Sequence, residues 1–478
     1  MASLLNSLQT AGSSLDVLEQ AIGVVQNNVT NATTPGYVTQ TLQTAARSFD
    51  PSGNLWGGVE ATGVQSARDV YAEQSVWSAN EQSGFSSQQS ASLNQLQQIF
   101  SVSGQSGVPG ALSTLYSAFS AWSANPSDAT AQQGVITAAQ GLSSAVNQTY
   151  TQAQQINTDS QQQLTSSVNQ LNQYTSQIAT LNGEIRTSPG SDAGLQAQLY
   201  NTIEQVSNLA PVTVNMQSDG TATVLLGGQS PLVEGTTQNN VSLNYIQPGT
   251  ANNTGPSPLA QLLSSSGQDI TSLVNKGTIG GAVNFTNTTI PSVLGTTGPP
   301  PSGLNGLAAG IASGVNNLLT SGQVTAGPPA VAGVPLFTAT GSAPALSFAV
   351  APNMTGSQLA AISPGPPAVA NGIATALAGL ANPTSATGLL NGFSYTDFYG
   401  NIETGVGQNA STASSDDATN TNVLNQAQSL RAQVSGVSLN DQATQLLQFQ
   451  EAYQASAQMI TTINTMTQSL LQVMQQAG

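Results

Sequence analysis

This sequence contains no cysteine and no histidine, and only five lysines and arginines in 478 residues. Without cysteine there can be no disulfide, no thiolate nucleophile and none of the usual zinc sites. Without histidine there is no imidazole base and no Ser-His-Asp triad. No group of residues meets the geometric demands of catalysis, so a non-enzymatic protein without metal or cofactor is expected. The basic residues are Arg47, Arg68, Arg186, Arg431 and the single lysine, Lys276. They are too few and too scattered to neutralise a run of phosphates, which argues against nucleic acid as a partner. Long hydrophobic runs are missing too. None approaches the ~20 residues of a membrane span, and no membrane partner is expected. The opening Met1-Ala2-Ser3-Leu4-Leu5-Asn6-Ser7 has no basic stretch followed by an apolar block, so no cleaved signal peptide is expected.

What is present is neutral polarity. The 21 acidic residues give a net charge of −16, yet charged residues make up 5% of the chain, where soluble domains usually carry about a quarter. Solubility must rest on Gln, Asn, Ser and Thr. With 38% hydrophobic residues the chain can bury a core. At roughly 100–200 residues per domain, its length allows about two to four domains.

The clearest pattern is at the N-terminus. Leu4, Leu8, Ala11, Leu15, Leu18, Ile22, Val25 and Val29 alternate spacings of four and three, an a/d heptad seam. Pro35-Gly36 then stops the helix. At the other end Leu446, Phe449, Tyr453, Ala457, Ile460, Ile463, Met466, Leu470 and Val473 recur every three or four residues. A third helical region runs from about Ile136 to Ile185, roughly 75 Å at 1.5 Å per residue, and ends at Ser188-Pro189-Gly190. Shorter helices are predicted over 110–122, 128–146 and 196–209. From Pro211 the period changes to two, and Asp219-Gly220 between alternating runs predicts a hairpin. The stretch to about 390 is rich in Gly, Pro, Ala and Thr, with one amphipathic helix through Leu304, Leu307, Ile311, Val315 and Leu318. Ser414-Ser415-Asp416-Asp417 reads as an N-cap cluster from which helix resumes, and Gly405-x-Gly407-x-x-Ala410 reads as a flexible loop. The fold expected is mainly α with an inserted β-rich domain.

Each terminal helix presents a narrow apolar stripe. The two stripes can pair inside an ordinary bundle, or they can mediate assembly with other molecules. A two-helix pair buries only part of each stripe, so neighbouring copies would complete the burial.

The residues at both ends carry a family resemblance. Asn27-Asn28-Val29-Thr30-Asn31-Ala32-Thr33-Thr34-Pro35-Gly36-Tyr37 resembles a segment shared by bacterial flagellar axial proteins: rod, hook and hook-associated protein 1. Leu447-Gln448-Phe449-Gln450-Glu451-Ala452-Tyr453-Gln454-Ala455-Ser456-Ala457-Gln458-Met459-Ile460 resembles their shared ending. Within the family, Val434-Ser435-Gly436-Val437-Ser438-Leu439-Asn440-Asp441, the Asn125-Pro126-Ser127-Asp128 break and Gly277-Thr278-Ile279-Gly280-Gly281 are similar to the hook-associated protein 1 branch. Gln132 and Trp77 stand where relatives tend to have arginine.

The resemblance implies a structural adapter at the hook–filament junction, exported by the flagellar type III route. Its terminal helices (1–50 and 436–478) would form a coiled-coil domain, 51–205 and 385–435 an elongated helical domain, and 206–384 an outer β-rich domain. The implied partners are further copies of itself in a closed ring of about eleven, the hook protein, hook-associated protein 3 and an export chaperone. The assembly residues expected are Leu8, Leu15, Leu18, Ile22 and Val25 at one end, and Phe449, Tyr453, Ile460, Ile463 and Leu470 at the other. A hook or distal rod protein shares both terminal motifs. A secreted adhesin with a ligand-binding middle domain is the alternative of another class.

Overall fold

In the computed structural model, residues 2–50, 55–100, 106–188, 192–327, 329–384 and 388–477 are described. The expected stops at Pro189-Gly190 and the side chain of Trp56 lie outside them. Twelve helices among the described residues carry the architecture: α1 (Ala2–Thr30), α2 (Val70–Phe100), α3 (Gly107–Ala124), α4 (Ala129–Thr187), α5 (Ala193–Leu209), α6 (Gly277–Asn284), α7 (Ile290–Leu294), α8 (Gly303–Ser321), α9 (Pro344–Ser347), α10 (Gly372–Ala378), α11 (Tyr395–Ser435) and α12 (Leu439–Ala477). The chain divides into two compact units. The first holds residues 1–81, 171–240 and 421–478; the second holds 82–170 and 241–420.

In the first unit, α1 and α12 pack side by side. Strands β1 (Gln40–Ala46) and β4 (Val59–Ser66) pair antiparallel around the short pair β2 (Phe49–Asp50) and β3 (Leu55–Trp56). The sequence reading missed this hairpin, because residues 40–46 have no apolar alternation to announce a strand. The hairpin expected after Pro211 is present. Strands β5 (Val212–Met216), β6 (Ala222–Leu226), β7 (Ser230–Glu234) and β8 (Thr237–Gln238) form one antiparallel sheet in sequence order. Gly220 at φ +83° completes its first turn, where a left-handed residue costs glycine least. Asp219 Oδ1 accepts from the Thr221 hydroxyl at 2.7 Å and amide at 3.1 Å. Those bonds hold the Asp219 carboxyl below the ordinary range. Asn182 near the end of α4 exchanges bonds with Ala222 and donates to the Gly235 carbonyl, tying the helix to the sheet.

The second unit is built on one core. Trp122, Phe119, Leu112 and Leu115 of α3 meet Val135, Leu142, Val146 and Tyr150 of α4 and Leu304, Leu307, Ile311 and Val315 of α8. Between residues 241 and 384 the strands are short two-stranded pairs set among helices, such as β9 (Ser242–Ile246) with β10 (Leu259–Leu263).

Two local expectations fail on α11. The N-cap expected at Ser414–Asp417 and the loop expected at 405–410 both lie inside this 41-residue helix. The helix starts instead at Tyr395, where the Ser394 hydroxyl accepts from the Asp397 amide at 3.1 Å. Burial of Tyr395, Phe398, Tyr399, Val406, Ala410 and Ala413 in the core outweighs the cost of about 1 kcal/mol for each helical glycine.

Candidate functional site: the joined ends of the chain

The two motif segments, some four hundred residues apart in sequence, meet in the first unit. Asn28, in the last turn of α1, is fully buried. Its Nδ2 donates to the Gln40 carbonyl and to Gln442 Oε1, both at 2.8 Å, while its Oδ1 accepts from the Gln40 amide at 2.9 Å and the Tyr37 hydroxyl at 2.9 Å. One side-chain amide thus fastens the end of α1, the start of β1 and the first turn of α12. Burial raises the Tyr37 pKa, which keeps its hydroxyl a donor. Gly36 sits at φ +76°, and a Cβ there would run into the Ala197 carbonyl of α5. The Pro-Gly-Tyr order is therefore a close-packed turn. On the other strand of the knot, the Thr39 amide and hydroxyl donate to the carbonyls of Ser435 and Gly436, at 3.0 and 2.8 Å. A Cβ on Gly436 would strike the Ala432 carbonyl.

Two of the chain's five cations reinforce this knot. Arg68 pairs with Glu73, donates to the Gly36 carbonyl at 2.6 Å, and lies 3.7 Å over the Tyr200 ring. Arg431 bonds Glu73 at 3.2 Å and Glu204 at 2.6 Å. Burial lowers the Arg68 pKa, with Glu73 opposing. On Arg431 the two carboxylates outweigh burial and raise it. Trp77 stacks on Tyr200 with centroids 5.9 Å apart. Gln132, in the second unit, donates to the Pro126 carbonyl at 2.8 Å. No sequence signal announced the carboxylate-guanidinium group, because its members come from the loop before α2, from α2, from α5 and from α11.

The bond between Asn28 and Gln442 joins the C-terminal end of α1 to the N-terminal end of α12, so the helices run antiparallel. At equal rise per residue, α12 continues about nine residues past the start of α1. The apolar residues are unevenly covered. On α1 the buried positions are Ala11, Val17, Ala21, Val25 and Asn28. The heptad row Leu8, Leu15 and Ile22 is half-buried and Val29 is exposed. The β1–β4 hairpin explains this rotation of the covered face: Leu18 and Val25 of α1, Leu42 and Val59 of the hairpin, and Phe449 of α12 line one cleft of about 350 Å³. On α12 Ile463 is buried, and Phe449 and Ile460 are half-buried. Tyr453 and Leu470 are exposed, as are Met459 at 59%, Met466 at 55% and Val473 at 65%. The structure thus brings Leu18, Val25 and Phe449 together and leaves Tyr453 and Leu470 open. No helix among the described residues is long and apolar enough to cross a membrane. They include no group of three or more side chains suited to hold a metal.

Comparison with known proteins places these features. The sequence model of the flagellar hook-associated protein FlgK helical domain matches residues 93–337. That of the C-terminal region of the flagellar basal body rod FlgEFG proteins matches residues 420–473. The fold is similar to that of the flagellar hook junction protein FlgK from Burkholderia pseudomallei. The TM-score is 0.61 and the identity 17%, over 75% of this chain and 99% of that one. No curated protein matches the sequence.

Proposed function

The chain belongs to the family of the flagellar hook-associated protein FlgK, and from that premise we propose that it is a structural adapter of the bacterial flagellum at the hook–filament junction. It takes its place through its terminal helices and performs no chemistry. The observation that carries this reading is the second half of α12, where Met459, Met466, Leu470 and Val473 stand exposed on a helix that outruns its partner. Covering one large apolar side chain contributes about 1.5–3 kcal/mol, and a stripe of four makes assembly favourable without any charge. The isolated chain leaves that energy unused. The partners are further copies in a closed ring, the hook protein and hook-associated protein 3, with an export chaperone before assembly. The route is type III export without a cleaved signal.

The experiment replaces Met459 and Met466 together by glutamate. The variant is expected to fold as the parent does and to be exported, while cells keep hooks and shed flagellin. Normal filaments on that variant would reject the reading.

A further inference from the structure

We propose that the second unit carries a binding groove for a neutral saccharide, independent of the assembly role. The groove, about 440 Å³, lies between the end of α7, the start of α8 and the first half of α11. That volume is within the range that holds a small ligand. Its floor is apolar, from Val293, Phe398 and Val406, which are buried. Its rim is polar, with the amides of Asn401 and Asn409 and the hydroxyls of Thr288 and Ser292. No hydrogen bond within the described residues engages those four side chains. They are open donors and acceptors around a greasy floor, and no charged side chain lines the groove.

The aromatic at the rim is held there by design of the backbone. Leu389–Leu390 pairs with Phe393–Ser394, and the two-residue turn between them puts Asn391 at φ +54° and Gly392 at +85°. Those values suit an Asn-Gly hairpin turn. Asn391 Nδ2 donates to the Pro301 carbonyl at 2.7 Å, which fixes the hairpin against the loop before α8. The result is a phenyl ring 46% exposed and already ordered, so stacking on it costs little further entropy. A ligand that satisfies this site must offer a flat C–H face for Phe393, hydroxyls for two amides and two alcohols, and no net charge. A neutral hexopyranose has all three. A charged sugar would meet no counter-charge, and a purely apolar ligand would leave the rim unpaired.

The test is saturation-transfer difference NMR on the full chain with methyl glucoside, galactoside and mannoside at about 10 mM, the range of weak single-site binding. At least one hexoside is expected to show transfer to its ring protons. Phe393→Ala should weaken binding about tenfold, which is the size of an aromatic contact, while Phe393→Tyr retains it. Gly405→Leu adds a side chain where a Cβ meets open space. It should block binding and, as a glycine removed from a helix, leave the fold at least as stable. Absence of transfer from all three hexosides would overturn the proposal. So would transfer undiminished in both Phe393→Ala and Gly405→Leu.

Discussion

α3 and α12 are both amphipathic helices rich in apolar residues, yet their surroundings differ completely. Every large apolar residue that α3 turns inward, from Leu112 to Trp122, is sealed in one core with α4 and α8. On α12, Ile463 is the one large apolar side chain that is buried, while Met459, Met466, Leu470 and Val473 around and beyond it stay exposed. Both units also use buried amides: Asn28 joins the chain ends in the first unit, beside an Arg–Glu group, and Asn305 ties Gly295 to Ala345 inside the aromatic and aliphatic core of the second. One region is a finished core. The other is a polar knot that joins two helices whose apolar stripes are only partly covered within the chain.

The sharpest test of the finished core is Trp122→Ala. Its indole is fully buried and donates to the Pro126 carbonyl at 3.1 Å. The substitution should cost about 3–5 kcal/mol, read from denaturant unfolding followed by a probe in the second unit. A loss below about 1 kcal/mol would show that this core is not close-packed.

The polar knot should break with a smaller effect. Asn28→Asp turns the donor facing the Gln40 carbonyl and Gln442 Oε1 into a carboxylate, leaving buried acceptors unpaired. A loss of about 2–3 kcal/mol is expected, with faster amide exchange in α1 and α12 and none of that increase in α3. Equal loosening of α3 would erase the distinction between the two regions.

Alkali should loosen the second unit at high pH. Burial pushes the Tyr395 hydroxyl, which donates to the Gly310 carbonyl at 3.0 Å, up to about 12. A tyrosine raised in this way stabilises the fold fully below its ordinary value near 10 and ceases to do so as pH climbs through the raised one. Spectrophotometric titration should therefore show late ionisation, with loss of the second unit's stability between about pH 10 and 12. Tyr395→Phe should flatten that loss. The smallest effect on the isolated chain belongs to Met466→Gln, within about 0.5 kcal/mol, since that side chain touches little. Its cost should appear in assembly alone.

Much of this contrast could be read along the chain, and some could not. The terminal helices, the stop at Pro35-Gly36, the long α4 and the hairpin at Asp219-Gly220 follow from local periodicity and turn chemistry. The covered face of α1 did not follow, because the heptad rows through Leu15 and through Val25 are equally apolar and only the β1–β4 hairpin chooses between them. Helix through Gly405 and Gly407 was hidden for the same reason: the aromatic contacts that sustain it are distant in sequence. Asn28 was visible as part of a motif, but its four bonds depend on Gln40, Tyr37 and Gln442 being brought together by the fold.

Oxidation of methionine provides the most direct measurement. Three of the chain's six methionines, Met459, Met466 and Met474, lie exposed on α12, and sulfoxide formation follows exposure. In the isolated chain all three should oxidise readily under dilute peroxide, and after incorporation into flagella Met459 and Met466 should slow about tenfold or more as neighbours cover them. Slow oxidation in the isolated chain, or unchanged rates in the assembled one, would contradict the account of α12 as a surface left for other molecules to cover.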